Sequence, residues 1–332
     1  MSDERVLEPA SGDTCVYVIG MHRSGTSATS GLLSHLGLGV PKVEDILRET
    51  PGNLRGNWES TGLNLFDERL LGHLGGSWLA PPVLSAGWQN DPELDPLKAE
   101  AYGLFAAVFG PRPIVWKDPR ASILLPFWRT VVKPPAAAIF VYRDPSEVAA
   151  SLHARDELRM THGFALWERY LRAAAANLDG LPTFVLSYGS LLASPDKWCD
   201  EIVTFLADVS ITIDRSRVKD ATGFLDHELR HERARDSGPA LPGSVRDLVR
   251  DLNSLEGPHH PWAAPDLGAE PTWVDDVLAT WFELSTFRNR NSALYSSRPM
   301  RWSRRLHDVV HSVTQRVSPP SHVDAGNHEE NE

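Results

Sequence analysis

The stretch "VYVIGMHRSGTSATSGLL", Val16 to Leu33, joins an apolar run to a segment of helical spacing through a turn with a glycine at each end. Few features narrow a fold as much. A run of Val, Tyr and Ile with no polar alternation fits a strand covered on both faces, and such strands belong to parallel sheets packed between layers of helices. Gly20 and Gly25 bracket the turn, where the backbone must bend sharply and approach its surroundings closely.

The same alternation recurs downstream. Strands are expected at Cys15 to Ile19, Ile114 to Trp116, Ala138 to Tyr142 and Thr183 to Leu186, with helical segments following three of them. In "RDPSEVAASL" Asp144 can cap a helix, Pro145 takes its first position and Glu147 completes a capping box. "SPDKWCDEIVTFLADV" starts in the same way at Ser194-Pro195. From about Gly238 to Pro271 the chain is rich in Pro, Gly and His around one helical piece, "SVRDLVRDLNSLE", and two further amphipathic helices are expected at Trp273 to Phe287 and Trp302 to Val317. The expected fold is α/β: a three-layer, P-loop-like arrangement with a central parallel β-sheet flanked by helices and a helical C-terminal decoration. The expected division is a flexible N-terminus at 1–13, the α/β domain at 14–237, a helical extension packed on it at 238–317, and a disordered tail at 318–332.

Composition limits the partners. With 33 Lys and Arg against 44 Asp and Glu the chain carries a formal charge of -11, so its surface as a whole repels nucleic acid, and an anion must be held by a local basic site. The two cysteines, Cys15 and Cys199, fall in an apolar run and a helical segment and read as buried thiols. "MSDERVLEPASGD" is unlike a signal peptide, and no apolar run approaches the roughly 18 residues of a membrane span. A cytoplasmic protein without a transmembrane segment is expected. His259 and His260 have no cysteine or histidine partners at zinc-ligand spacing, so no metal is expected.

The turn has the G-x-x-x-x-G spacing of a P-loop, but Thr26-Ser27 follows where nucleotide hydrolases carry lysine. It should therefore hold a shorter anion. Backbone N–H groups of Ser24, Gly25, Thr26 and Ser27 at the start of the following helix can surround one phosphate, and Arg23 can add a bidentate charge.

On these residues the chain resembles the sulfotransferases that use 3'-phosphoadenosine 5'-phosphosulfate (PAPS), bacterial members included. "HRSGTS" is similar to their 5'-phosphosulfate loop. In that family a strand ends in an arginine that binds the ribose 3'-phosphate with a serine eight residues on, and "VYRDPSEVAASL" offers Arg143 and Ser151 at that spacing. "VLSYGSLLASP" resembles the turn whose tyrosine lies against the adenine, which implies that role for Tyr188, although Gly189 and Ser190 replace the family's acidic pair. "GFALWERYLRAAAANL" resembles the helix that follows the 3'-phosphate site in bacterial members.

The resemblance implies in-line transfer of a sulfuryl group from PAPS to an acceptor oxygen or nitrogen, by positioning, cationic stabilisation and a base, without a required metal. Arg23 and Lys117 are the expected cations, Lys117 standing where relatives place a lysine near the bridging oxygen. His22 is grouped with the nucleotide-binding residues and is a further candidate for direct chemistry. The histidine many cytosolic members use as base is replaced by Pro119, and the expected base is Glu59 in "PGNLRGNWES", as in relatives with a glutamate after the first helix. Asp118 is the competing carboxylate, its pKa expected to be lowered by the neighbouring lysine and arginine, which favours an ion pair instead. The acceptor is expected to be a small molecule such as a natural product or a carbohydrate. "LGGSWLAPPVLSAGW", with Trp78 and Trp88, could line its cleft and the connector around Trp262 could cover it. The helix from Trp302, with Arg301, Arg304, Arg305 and Arg316, suits docking on its own domain or on a second subunit of a homodimer. Two other readings stay open: a P-loop nucleotide kinase or NTPase, and a non-catalytic module that binds adenosine 3',5'-bisphosphate.

Overall fold

The computed structural model describes residues 15–42, 45–47, 57–109, 113–132, 137–225 and 240–296, with side chains to residue 287. The helix expected at Trp302 to Val317, the N-terminal segment 1–13 and the tail 318–332 lie outside the described residues.

Four strands, β1 (Cys15–Ile19), β2 (Ile114–Lys117), β3 (Ala137–Tyr142) and β4 (Thr183–Ser187), run parallel in the order β2-β1-β3-β4. Their registers set Tyr17 beside Trp116, Ile19 beside Phe140 and Tyr142 beside Ser187. All four begin or end within one residue of expectation because each is an unbroken apolar run bounded by turn residues. A fifth strand, β5 (Gly257–His259), pairs antiparallel with β4, so the sheet is mostly parallel rather than wholly so. Within the Pro- and Gly-rich connector no strand was expected there; Pro258 is tolerated because β5 is an edge strand.

Eleven helices are described: α1 (Thr26–His35), α2 (Thr61–His73), α3 (Asp95–Val108), α4 (Ala121–Val131), α5 (Pro145–Asp156), α6 (Met160–Asn177), α7 (Tyr188–Ala193), α8 (Pro195–Asp208), α9 (Val218–Phe224), α10 (Gly243–Asn253) and α11 (Thr272–Ser296). Side chains alternate along the strands and divide them between two cores. Cys15, Tyr17, Ile19, Trp116, Phe140 and Tyr142 face α2 to α6 and α10, whereas Val16, Val18, Ile139, Val141, Phe184 and Leu186 face α1, α7, α8 and α9. The fold is thus a three-layer α/β sandwich. The compact unit that holds the sheet extends to Phe282 and so includes α10, β5 and the first turns of α11; the second unit, from Glu283, contributes only the later turns of α11 to the described residues.

Local signals explain the helix starts. Asp144 accepts from the N–H groups of Ser146 and Glu147 ahead of α5, with Pro145 in the first turn. Glu147 was expected to complete a capping box, yet its carboxylate takes the guanidinium of Arg143, because a charge-assisted pair out of water outweighs one backbone hydrogen bond. Trp262 is a core residue, not a lid: it is buried and its Nε1 donates to Ala175 O of α6.

The topology also selects one crevice. β1 has β2 on one flank and β3 on the other, so the chain leaves β1 at the switch point where open α/β sheets bind ligands. Every expected site motif follows a strand at that edge except Glu59, which precedes α2.

Candidate active site

The turn after β1 depends on its glycines. A β-carbon on Gly20, whose φ is 155°, would lie 2.2 Å from the Val141 carbonyl oxygen of β3, so only glycine lets the two strand ends approach. Ser122 at the start of α4 fixes the same residue, its Oγ 3.1 Å from both the N–H and the carbonyl oxygen of Gly20. Gly25 has φ 91° and lies under the ring of Tyr188. It is also the N-cap of α1, and no side chain caps the helix. The Ser24 N–H is committed to the Met21 carbonyl at 3.2 Å, which removes it from the four donors expected to receive an anion and leaves those of Gly25, Thr26 and Ser27. The Ser24 hydroxyl is buried without a hydrogen-bond partner among the described residues. An uncapped helix start and an orphaned hydroxyl both suit a bound phosphate.

The motifs on β1 and β3 meet. Arg23, itself in the left-handed region at φ 68°, donates through Nε to Ser151 Oγ of α5 at 2.8 Å, across 128 positions of sequence. Arg143 donates from Nη1 to the Arg23 carbonyl at 3.2 Å and from Nε to Glu147 at 2.7 Å, and its guanidinium lies 5.4 Å from the Tyr188 ring centre. Tyr188, buried at the first position of α7, therefore touches both Gly25 and Arg143. Beside it Ser190 donates to Glu256 at 3.1 Å, and Tyr142 donates to the same carboxylate at 2.7 Å. Glu256 thus brings a carboxylate next to the turn where Gly189 and Ser190 lack their own.

At the other end of the turn Lys117 gathers a second cluster. Its Nζ donates to Ser27 Oγ at 3.0 Å and to the Asn57 carbonyl at 3.1 Å, and it forms an ion pair with Glu59. Both partners of that pair are buried. The second carboxylate oxygen of Glu59 accepts from Asn64 Nδ2 at 2.7 Å, so α2 and β2 hold the side chain from two sides. Trp58, just before it, has φ 57°, a conformation a bulky residue adopts only where its surroundings compel it.

Asp118 pairs with Arg120, receiving Nη1 at 3.2 Å and the backbone N–H at 2.9 Å, as its sequence neighbours suggested. Its pKa moves opposite to expectation: burial raises it, against the lowering effect of Arg120. Its other oxygen finds no partner among the described residues, nor does Oδ2 of Asp67 on α2, whose Oδ1 accepts from Trp128 Nε1 at 2.8 Å. Burial, then the charge of Asp118, pushes the Asp67 carboxyl well up. His22 is buried against Trp78 at 4.7 Å and Tyr170 at 5.7 Å. Burial first, then Arg120, Arg155, Lys117 and Arg23, hold its imidazole well below the usual histidine range, so it is neutral at pH 7.

The two tryptophans of the Gly/Pro-rich loop part company. Trp78 packs on His22, next to the turn, whereas Trp88 stacks 6.5 Å from Phe127 and lines a cavity of about 410 Å³ with Ile123, Pro126 and Arg169. Among the described residues no group of three or more His, Cys, Asp or Glu is arranged to hold a metal, and no helix is long and apolar enough to cross a membrane. Sequence reasoning missed Asn64, Asp67, Glu256 and the pairing of Glu147. The i,i+4 spacing of Arg143 and Glu147 was the one visible signal.

No family model matches the chain, and no curated protein matches it. Nine chains of known structure do. One is the sulfotransferase domain from the curacin biosynthetic pathway, at 14% identity, a TM-score of 0.44, and 73% of this chain against 98% of that one. Another is the sulfotransferase domain from the Synechococcus PCC 7002 olefin synthase, at 15% identity, a TM-score of 0.38, and 82% against 96%. A third is sulfotransferase STF1 from Mycobacterium tuberculosis, at 14% identity, a TM-score of 0.39, and 73% against 76%.

Proposed function

We propose that this protein is a sulfotransferase that moves the sulfuryl group of PAPS to a hydroxyl or amine of a small-molecule or carbohydrate acceptor, in a cytoplasmic setting. The observation that carries the reading is the contact between Arg23 and Ser151: it joins the two phosphate motifs into one site at the switch point of the sheet. PAPS supplies the activated sulfuryl group; the rest is positioning and charge. The N–H groups of Gly25, Thr26 and Ser27 receive the 5'-phosphate at the start of α1. Arg143 and Ser151 receive the 3'-phosphate, and Tyr188 flanks the adenine.

Lys117 donates to Ser27 at one end of the turn and stabilises the negative charge that builds on the leaving phosphate. Glu59 acts as the base that takes the acceptor proton. His22 and Trp78 border the turn and line the approach of the acceptor. A second reading, a non-catalytic module for adenosine 3',5'-bisphosphate, draws support from the engagement of both Glu59 oxygens, by Lys117 and Asn64. The test is a thermal-shift comparison of adenosine 3',5'-bisphosphate with ATP, followed by an acceptor screen with radiolabelled PAPS. Stabilisation by the bisphosphate together with labelled product supports the enzyme. Stabilisation by Mg²⁺-ATP alone supports a kinase or NTPase.

A further inference from the structure

We propose that Arg23 recognises the 3'-phosphate of the nucleotide, as a second arginine beside Arg143, and does not serve the 5' end of the ligand. The inference rests on the nucleotide reading above but assigns the residue anew. Three observations carry it. Arg23 lies in the left-handed region, and its Nε reaches Ser151 on α5 at 2.8 Å. Arg143 bonds to the Arg23 carbonyl at 3.2 Å, so both arginines are held in one neighbourhood near the start of α5. Lys117 already supplies a cation at the Ser27 end of the turn, through the 3.0 Å bond to that hydroxyl.

A phosphomonoester has oxygens enough to accept from two guanidinium groups, and charge-assisted bonds of this kind are the strong ones. The ligand class follows: an adenine nucleotide phosphorylated on its ribose is preferred over one that is not.

Calorimetry on the full chain with adenosine 3',5'-bisphosphate, adenosine 3'-monophosphate and adenosine 5'-monophosphate tests this. Arg23→Gln is expected to weaken both 3'-phosphorylated ligands by about 10- to 100-fold, the loss of one charged hydrogen-bonding partner, and to change 5'-monophosphate binding by less than about twofold. Arg23→Lys keeps the charge without the Nε bond and is expected to fall between. A loss confined to the 5'-monophosphate, or equal for all three ligands at an unchanged thermal midpoint, overturns the assignment. Wild-type protein that binds the bisphosphate no better than the 5'-monophosphate overturns the nucleotide reading itself, and that result appears before any variant is made.

Discussion

Gly25 lies directly beneath the ring of Tyr188: a β-carbon built on the glycine would meet the tyrosine Cδ2 at 2.2 Å. The contact ties the turn after β1 to the start of α7 after β4, two elements on either side of β3. It also explains why the second glycine of the turn has no substitute, because both its φ of 91° and its lack of a side chain are needed. Gly25→Ala is therefore expected to cost about 2 kcal/mol or more, from a strained backbone plus an overpacked contact. Adding Tyr188→Ala should recover the contact part and not the backbone part. Urea unfolding of the single and double variants measures both, and a fully stable Gly25→Ala would contradict the packing.

Arg143 and Glu147 form a buried ion pair, so removing either takes one partner from a buried charge. Arg143→Ala is expected to lower stability by about 3 kcal/mol, and the double variant with Glu147→Ala to lose less. Both should lose about 2 to 3 kcal/mol of affinity for adenosine 3',5'-bisphosphate. Chemical denaturation with calorimetry separates the two effects; a loss in the double variant equal to the sum of the two single losses would show that the pair is not coupled.

Glu59→Gln keeps the shape that Lys117 and Asn64 hold and removes the proton acceptor. Turnover should fall by roughly 10²-fold with nucleotide affinity retained. A variant that turns over at nearly the wild-type rate would move the base to Asp118 or His22.

Asp67 gives a pH dependence with a definite sign. Its folded pKa is raised by burial and by Asp118, so its contribution to stability is complete below the unfolded carboxylate value near 4 and is lost as pH rises through the folded value. Between the unfolded and folded values the loss approaches about 1.4 kcal/mol per pH unit for one proton, and above the folded value it levels off. Asp67→Asn can still accept from Trp128 Nε1 and carries no charge, so its stability should hold where the wild type declines. Parallel profiles for the two proteins from acid to alkaline pH would mean that Asp67 is ionised in the folded state.

Much of this was legible in the residues. The strand, turn and helix around Gly20 and Gly25 follow from local chemistry, as does the cap at Asp144, so their positions came out of short windows. What escaped needed the third dimension. Glu147 satisfies the spacing of a capping box and of an i,i+4 ion pair equally well, and only the burial of Arg143 decides between them. Glu256 and Asp67 reach the site from residues distant in sequence, and nothing local marks them. β5 hides in "GPH" because an edge strand can use turn residues. The expected lowering of the Asp118 pKa counted its charged neighbours and omitted desolvation, the larger effect.

The central claim is that one adenosine carrying two phosphates spans the turn after β1 and the start of α5. A crystal structure with adenosine 3',5'-bisphosphate bound tests it most directly. One phosphate should lie on the N–H groups of Gly25 to Ser27, and the other on Arg143 and Ser151. A molecule lodged elsewhere, or one that reaches only one of these two clusters, would contradict the account.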